Sequence, residues 1–434
     1  MRRLRTRRAG PGLGILISLV ALLVSTVPVA AAGELAGHHG GEAYGTRANA
    51  VAGDIAVKLG RTAYQVCPCL GTDGEMISNT IDTVQAGEAG NVFRAAVAEG
   101  IAQADKPADG TAYTKLIAQI TDVNALDGAV TADLIRAKAF VRATENGFTT
   151  SSKGSRIVGL RVLGELVDVR AGARVDVPGF GYLELKDVDL GGDGNVRRTL
   201  TVEMLRIVIT RNNSLDIPVG TRIIVAHAQA VYSRFEPVGL VTGSAFAADA
   251  TSNVASVENR VGRAAALYMG CISSDSFRTN NVEQIDAPGL LATGTGVTTL
   301  SSKVDSARAL AKGTSSVQAV DLLDGFLSAD LIKGVSRTER LANGSRSASY
   351  QGSRFVNLRV AGLAIGDDVD PNTRVDVPGV GKLVLYETVT KTTADEIGAG
   401  VTMIHLTVDT ANTLGLPVGT ELRIGFARTK VQTP

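Results

Sequence analysis

One unit of about 200 residues is written twice along this 434-residue chain. The stretch GSRIVGLRVLGELVDVRAGARVDVPGFGYLEL, from Gly154, recurs as GSRFVNLRVAGLAIGDDVDPNTRVDVPGVGKLVL, from Gly352. Likewise, LDGAVTADLI from Leu126 recurs as LDGFLSADLI from Leu323. A repeat of this length is too long for a solenoid or propeller unit and matches a whole domain. The sequence therefore predicts two sister domains, and a residue present in only one copy is not required by their shared fold.

Both copies have the pattern of β structure. Segments such as RIVGLRV and TVEMLRIVI are rich in β-branched residues, alternate with period two and are separated by glycine and proline turns. Asp127-Gly128 and Asp324-Gly325 occupy equivalent positions between apolar runs, which predicts sister hairpins. The segment NVFRAAVAEGIAQ, from Asn91, has the alanines of a helix, but its counterpart GVTTLSSKV, from Gly296, has the pattern of a strand. Because sister domains share a fold, we predict strand in both.

The predicted fold is all-β, with two tandem sister domains after an N-terminal signal peptide. Each copy, at about 190 residues, is large enough for an antiparallel β-sandwich or a partly closed barrel with its own core. The predicted boundaries are residues 1–32 for the signal peptide, 33–233 for the first domain, 234–241 for the linker and 242–434 for the second domain. The alternative is one larger β-architecture in which the copies complete each other across a pseudo-two-fold axis.

The first 32 residues have the features of an export signal. Five arginines precede an apolar run from Leu13 to Val29, and small residues follow it. We predict cleavage between Ala32 and Gly33, by the general route or, given Arg7-Arg8, by twin-arginine export. No other apolar stretch approaches the length of a membrane span. The sequence therefore predicts a secreted protein without a transmembrane segment after signal removal.

Charge and composition argue against several partners. Cleavage removes five arginines and no acidic residue, which leaves 39 basic against 43 acidic side chains. A chain with this balance has no basic surface to meet a phosphate backbone, so we predict no nucleic-acid partner. Aromatic residues make up only 4% of the chain and tryptophan is absent, so stacking platforms for bases or sugars are scarce. No motif indicates a bound cofactor.

The four histidines of the chain are dispersed. His227 shares one face of its strand with apolar residues, and its sister residue is Phe426, which predicts a structural histidine in or near the core. His405 lies on the face opposite its apolar neighbours, which predicts a solvent-facing side chain. His38 and His39 follow the signal peptide in a glycine-rich stretch, which predicts a mobile N-terminus.

Catalytic motifs are not found in the sequence. There is no GxSxG, HExxH, GxGxxG, P-loop or CxxC pattern. We therefore predict a protein that is not an enzyme. The members of a catalytic triad can meet only in space, so an extracellular hydrolase with a site assembled from loops remains the alternative.

A second alternative is a calcium-dependent binding module. The segment DVDLGGDGN places four oxygen-bearing side chains around flexible glycines: Asp187, Asp189, Asp193 and Asn195. Such donors can wrap a calcium ion, although the spacing departs from an EF-hand loop. The sister segment ETVTKTTAD keeps almost none of them, and Asp and Gly are also ordinary residues of hairpin turns.

Three cysteines allow at most one intramolecular bridge. Cys69 and Cys271 align across the copies, whereas Cys67 aligns with Met269. Our first expectation is that no stable bridge forms and that the cysteines are small core residues. The next is a Cys69–Cys271 bridge, which requires equivalent segments to meet near a pseudo-two-fold axis. The last is Cys67–Cys69, a strained ring closed across Pro68 alone.

Several blocks together carry a resemblance to a known family. They are the export signal, the CLGTDG segment at Cys69, LDGxxTADLI, TRVDVPGxGxLxL and the PVGT strand near the end of each copy. In this combination the chain resembles the actinobacterial choice-of-anchor P family of secreted and surface proteins. The resemblance implies a surface or extracellular location and carries over no activity. Because the sequence ends GFARTKVQTP, without an LPxTG-like signal, we expect release or non-covalent association with the wall.

The function that these observations favour is structural or interaction-type. We expect a secreted, non-enzymatic protein that acts outside the cell or at the cell envelope. Its partner would be an envelope component or another surface protein.

Overall fold

A computed structural model describes residues 33–49, 61–87, 90–251, 264–272, 274–287, 289–366, 368–413 and 416–433. Within these ranges every regular element is a β-strand, and all strand pairs are antiparallel. The all-β prediction is confirmed. The predicted signal peptide, residues 1–32, lies outside the described residues.

The first half of the chain forms sixteen of the described strands. In order, they are β1 (His38–Asn49), β2 (Gln65–Val66), β3 (Ile77–Ile81), β4 (Val84–Ala86), β5 (Phe93–Ala95), β6 (Ala98–Asp105), β7 (Thr111–Ala125), β8 (Val130–Thr144), β9 (Gly147–Ser151), β10 (Arg156–Val158), β11 (Arg161–Val162), β12 (Glu165–Leu166), β13 (Ala173–Val177), β14 (Gly181–Gly191), β15 (Arg197–Ile209) and β16 (Arg222–Ser233).

The second half repeats this series closely. Its described strands are β17 (Leu240–Thr251), β18 (Leu267–Ile272), β19 (Ser276–Val282), β20 (Ile285–Ala287), β21 (Leu291–Thr293), β22 (Gly296–Val304), β23 (Arg308–Leu322), β24 (Leu327–Leu341), β25 (Arg346–Ser349), β26 (Arg354–Val356), β27 (Arg359–Val360), β28 (Leu363–Ala364), β29 (Thr373–Val377), β30 (Gly381–Thr392), β31 (Glu396–Val408) and β32 (Glu421–Gln432).

These strands form two sheets in each half. Sheet A has the order β13-β14-β15-β16-β1-β2, and sheet B holds β3 to β12 around the long central pair β7 and β8. Sheet C has the order β18-β17-β32-β31-β30-β29, and sheet D holds β19 to β28 around β23 and β24. Sheets A and B thus use residues 38–233, and sheets C and D use residues 240–432. Leu240 and Val241, at the end of the predicted linker, already belong to β17 and are fully buried.

Each half is a sandwich with its own hydrophobic core. Strands β15 and β16 of sheet A lie across β7 and β8 of sheet B, and β31 and β32 lie across β23 and β24 in the same way. The strands alternate buried and less buried residues, as β6 does along its whole length with buried and half-buried residues, because one face of each sheet packs inward. Two separate clusters of buried apolar residues result, with Phe93, Leu116 and Ile135 in the first and Leu300, Leu322 and Phe355 in the second.

The predicted local structure is found at two places that recur in both copies. The segment from Asn91 forms strands β5 and β6, and its counterpart forms β22, so the strand prediction is confirmed. The predicted hairpin turns join β7 to β8 and β23 to β24. Asp127 and Asp324 have φ of 53° and 49°, and the following glycines have φ of 84° and 86°. These left-handed conformations are what Asp-Gly turns supply.

Sheets A and C are kinked along one row that crosses four strands. At this row the regular pairing is interrupted between flanking residue pairs in β14, β15, β16 and β1, and again in their sister strands. We call these residues the kink row: Lys186, Met204, Ala226 and Gly45 in the first half, and Tyr386, Met403, Gly425 and Ala247 in the second. Four of them have positive φ, namely Lys186 (50°), Ala226 (57°), Tyr386 (50°) and Gly425 (70°).

The two halves meet where β1 and the edge strand β2 of sheet A approach β18, the edge strand of sheet C. A Cβ added at Gly270 would lie 3.8 Å from Cγ1 of Val66. The rings of Tyr64 and Tyr268 lie 4.5 Å apart, measured between centroids. We call this contact the seam.

Candidate functional site

The seam contains the only disulfide among the described residues. Cys69 and Cys271 are bonded, with their Cα atoms 5.4 Å apart and a sequence separation of 202. Our first expectation, that no bridge forms, is therefore corrected: equivalent segments of the two halves do meet here, because β2 and β18 are facing edges. Cys67 is free and buried, and burial raises the pKa of its thiol to about 12.

An arginine and three tyrosines form a second group of contacts at the seam. Arg61 Nη1 donates a hydrogen bond of 2.6 Å to Glu42 Oε2, and the hydroxyl of Tyr64 donates to the same oxygen at 2.9 Å. The Arg61 guanidinium lies 5.4, 5.0 and 5.8 Å from the ring centroids of Tyr44, Tyr64 and Tyr268, within cation–π distance. The ion pair with Glu42 lies within the first half, and the contact of the Arg61 guanidinium with the Tyr268 ring crosses to the second half.

The sequence reasoning did not find Arg61. Its signal was present, because the dipeptide Gly60-Arg61 recurs as Gly262-Arg263. The repeated dipeptide alone does not predict a contact between the two halves. That contact depends on the tyrosines beside the arginine, which only the folded chain brings together.

His227 is buried and serves as a structural ring, as its alignment with Phe426 predicts. Its ring stacks on Tyr44 at a centroid distance of 4.4 Å and an angle of 5°. The sister pair, Phe246 and Phe426, stacks at 4.3 Å and 8°. His227 Nδ1 lies 3.2 Å from Glu203 Oε1, and its buried Nε2 has no hydrogen-bond partner among the described residues. The base of a Ser-type or Cys-type triad would need a hydroxyl or thiol at that nitrogen.

Glu203 links His227 to a group of charges on the outer face of sheet A. Arg206 donates hydrogen bonds to Glu203 and to Glu184, the latter at 2.7 Å. Burial raises the pKa of Glu203, but the hydrogen bonds and charges of His227 and Arg206 outweigh it and lower the pKa below the ordinary value. Nη2 of the same guanidinium lies 3.5 Å from Asp187 Oδ2. Asp187, the first calcium candidate, thus already has the positive charge of Arg206 beside it.

The other calcium candidates have separate surroundings. Asp189 stands opposite Thr201 within the β14–β15 ladder. Asp193 Oδ1 accepts three backbone N–H bonds of 2.8 to 2.9 Å, from Asn195 and the two residues that follow it, which closes the turn before β15 and lowers the pKa of Asp193. In the described part of the chain, no three His, Cys, Asp or Glu side chains form a group that could hold a metal ion. Asp187, Asp189, Asp193 and Asn195 do not converge on one point.

His405 is not the solvent-facing residue that its pattern predicts. Its side chain is only 16% exposed, with Nδ1 3.0 Å from Glu387 Oε2 and Nε2 3.8 Å from Glu421 Oε2. The prediction is wrong because long charged side chains of the neighbouring strands β30 and β32 cover the ring. The hydrogen bond from His405 lowers the pKa of Glu387.

His38 and His39 are also placed differently from the prediction. They begin β1 and are buried, because β1 pairs with β16 along its length and with β2 on its other side. His38 Nδ1 lies 3.0 Å from the carbonyl oxygen of Phe235, and His39 Nδ1 lies 2.9 Å from Thr114 Oγ1. Burial lowers the pKa of His38 to about 4 and that of His39 to about 3. The predicted mobile segment is therefore a central strand.

Two shallow clefts flank the central hairpins of sheets B and D. The first, of about 410 Å³, has Asp82, Arg94, Asp122 and Asn124 among its lining residues. The second, of about 570 Å³, has Asp321, Ser328, Asp330, Asn357 and Arg359. Both combine carboxylates, an amide and a guanidinium, which suit polar ligands. Neither lining includes a histidine or a cysteine, so neither joins the imidazoles to a nucleophile.

Compared with protein-family models and with curated proteins, the chain matches none of them. In the part of the chain that the structure describes, no helix has the length and apolarity needed to cross a membrane.

Proposed function

We propose that this protein is an exported, non-enzymatic structural or interaction protein of the extracellular space or the cell envelope. The observation that carries the proposal is the Cys69–Cys271 bridge, which joins one sandwich to the other. Disulfides persist in oxidising compartments outside the cytosol, so the bridge agrees with the export signal predicted for residues 1–32. The blocks repeated in both copies support membership of the choice-of-anchor P family as part of the same proposal.

A non-catalytic role is supported by how the titratable side chains are used. His227 and His405 each hold a carboxylate through Nδ1, and the Nε2 of each is without a hydrogen-bonded nucleophile in the described residues. His38 and His39 are enclosed in the first sandwich. These groups hold strands together, and the outer surfaces of the two sandwiches are left to contact an envelope component or another surface protein.

Fractionation of the producing cells tests location and partner class together. Medium, wall and cytosol are separated, free thiols are alkylated before lysis, and the cysteines of each fraction are examined by mass spectrometry. We expect the protein in the medium or wall fraction with Cys69 and Cys271 bridged. A cytosolic protein with three alkylated thiols would contradict the proposal.

Partners are then sought with the mature protein, residues 33–434, immobilised under non-reducing conditions. A matched Cys271→Ser protein serves as the control, since it retains both sandwiches and loses the bridge. We expect one envelope component to be retained by the bridged protein more strongly than by the control.

A further inference from the structure

All three cysteines of the chain gather along three residues of β1. The backbone N–H of Cys67 donates to the carbonyl of Gly41 at 3.0 Å, and the N–H of His39 donates to the carbonyl of Cys69 at 2.9 Å. A Cβ added at Gly40 would lie 3.7 Å from Cβ of Cys271. Cys67 is therefore two residues from one end of the bridge, and β1 contacts the segments that carry all three cysteines.

The bridged pair is not the pair that an unfolded chain would form first. Cys67 and Cys69 are separated by Pro68 alone, and both point inward while Pro68 is exposed. Cys271 lies 202 residues beyond Cys69. Closing a long loop costs more chain entropy than closing a short one, so thiols that are close in sequence meet more often before folding. The strain of a ring closed across Pro68 alone then makes the Cys67–Cys69 bond easy for a third thiol to break. In an exported chain, Cys67 and Cys69 also emerge before Cys271.

We propose that Cys67 is an exchange thiol that delivers the disulfide to its native position. In the first step, an external disulfide, such as oxidised glutathione or the disulfide of a thiol oxidoreductase, oxidises Cys67 and Cys69. It takes up their two electrons and is released as two thiols. In the second step, the Cys271 thiolate attacks Cys69 Sγ. The Cys67–Cys69 bond breaks as the Cys69–Cys271 bond forms, and Cys67 leaves as a thiolate that takes a proton from water.

The folded structure explains why the exchange runs in this direction. After folding, Cys67 is 1% exposed, and its sulfur lies 3.6 Å from the carbonyl oxygen of Pro68. Burial raises the pKa of Cys67, so the thiolate needed for attack on the native bridge is scarce. In the reverse reaction Cys67 would attack the Cys69–Cys271 bond. Folding prevents this by burying Cys67 as a protonated thiol.

The sister copy shows that the fold does not require a thiol at this position. Met269 aligns with Cys67 and is equally buried, at 2% exposure. An apolar side chain is sufficient for packing there. The thiol is thus a property of the first copy alone, and the first copy is the one that emerges with a neighbouring cysteine.

The order of bond formation tests the proposal directly. Mature protein, residues 33–434, is reduced, unfolded and refolded in a glutathione buffer, and samples are quenched with acid, alkylated and mapped by mass spectrometry. We expect Cys67–Cys69 to rise first and then to fall as Cys69–Cys271 rises. A time course in which Cys69–Cys271 forms with no Cys67–Cys69 species at any point would overturn the proposal.

Two variants separate exchange from simple packing. Cys67→Ala, and Cys67→Met as the sister-residue control, should reach the same Cys69–Cys271 bridge several-fold more slowly, because the bridge must then form through mixed disulfides with glutathione. Cys271→Ser should stop at Cys67–Cys69, since the acceptor is missing. Formation of the native bridge at the wild-type rate in Cys67→Ala, or a Cys271→Ser protein that keeps both thiols reduced in the same buffer, would overturn it.

Discussion

Single polar residues in this protein act mostly by holding neighbouring strands together through hydrogen bonds. His38 and His39 are the clearest case, because both are buried and uncharged in β1. His38 hydrogen-bonds to the segment that follows β16, and His39 hydrogen-bonds to sheet B. Burial disfavours the charged form of an imidazole, so protonation of either side chain destabilises the folded protein. The N-terminal strand therefore depends on pH through two adjacent side chains.

We predict that the free energy of unfolding falls as the pH is lowered from about 6.5 towards 4. Both histidines have an ordinary pKa of 6.5, which burial lowers to about 4 and about 3 in the folded protein. Within that window the unfolded chain binds protons that the folded chain does not, so stability is complete above pH 6.5 and is lost below it. Each histidine contributes at most about 1.4 kcal/mol per pH unit.

Chemical denaturation at pH 7, 6 and 5 measures this slope before most carboxylates titrate. The double variant His38→Asn/His39→Asn, which keeps a polar atom near each Nδ1 position, should be less dependent on pH over the same range. A slope equal to that of the wild type would show that other groups are responsible.

At the scale of elements, the kink row is the feature that the two copies keep while changing its residues. Ala226 is left-handed and fully buried, with φ of 57°, and its sister Gly425 has φ of 70°. A residue with a Cβ pays about 1–2 kcal/mol for this conformation, whereas glycine does not. At this position the first copy therefore carries backbone strain that the second avoids.

Exchanging these two residues tests the strain. Ala226→Gly should raise the free energy of unfolding by up to about 1 kcal/mol, and Gly425→Ala should lower it by about 1–2 kcal/mol. The loss at Gly425 is reinforced by packing, since an added Cβ would lie 3.0 Å from Cβ of Met403. Denaturant midpoints of the two variants and the wild type give the answer. Equal shifts of the same sign would refute the explanation.

The strands and turns could be predicted where both copies have the same local pattern. They were missed where contacts with distant residues determine the structure. The strand at Asn91 and the turns at Asp127 and Asp324 followed from alternation and turn residues, which are local. His38 and His39 were missed because HHGGE has the composition of a loop, and only pairing with β16 and β2 makes it a strand. The partial burial of His405 was missed for a related reason, since the residues that cover it come from neighbouring strands.

For the whole molecule, the bridge is expected to be the largest single contribution at the seam. A disulfide limits the freedom of the unfolded chain, and closing a loop of 202 residues contributes about 5 kcal/mol on the chain-entropy estimate. We predict that Cys271→Ser lowers the thermal midpoint clearly under non-reducing conditions. Cys67→Ala, which leaves the bridge intact, is the control and should change it much less. Equal midpoints for Cys271→Ser and the wild type would contradict this.

The separate cores predict that the halves fold independently. Residues 33–236 and 237–434, expressed alone, should each be soluble, rich in strand and cooperative in melting. Circular dichroism and thermal scans of the two fragments test this. If both fragments lacked a cooperative transition while the whole chain melted once, the halves would instead depend on each other for folding.

The bridge also decides how the chain carries mechanical tension. If the protein is pulled between residues 33 and 433, force crosses from Cys69 to Cys271 and bypasses the chain between them. Sheet B lies wholly within this bypassed segment, whereas β1 and most of the second sandwich remain in the load path. At about 3.5 Å per residue, the hidden length is about 700 Å. A single-molecule pulling curve should lack that extension until a reductant is added, so the first sandwich keeps most of its fold under loads that unravel the second.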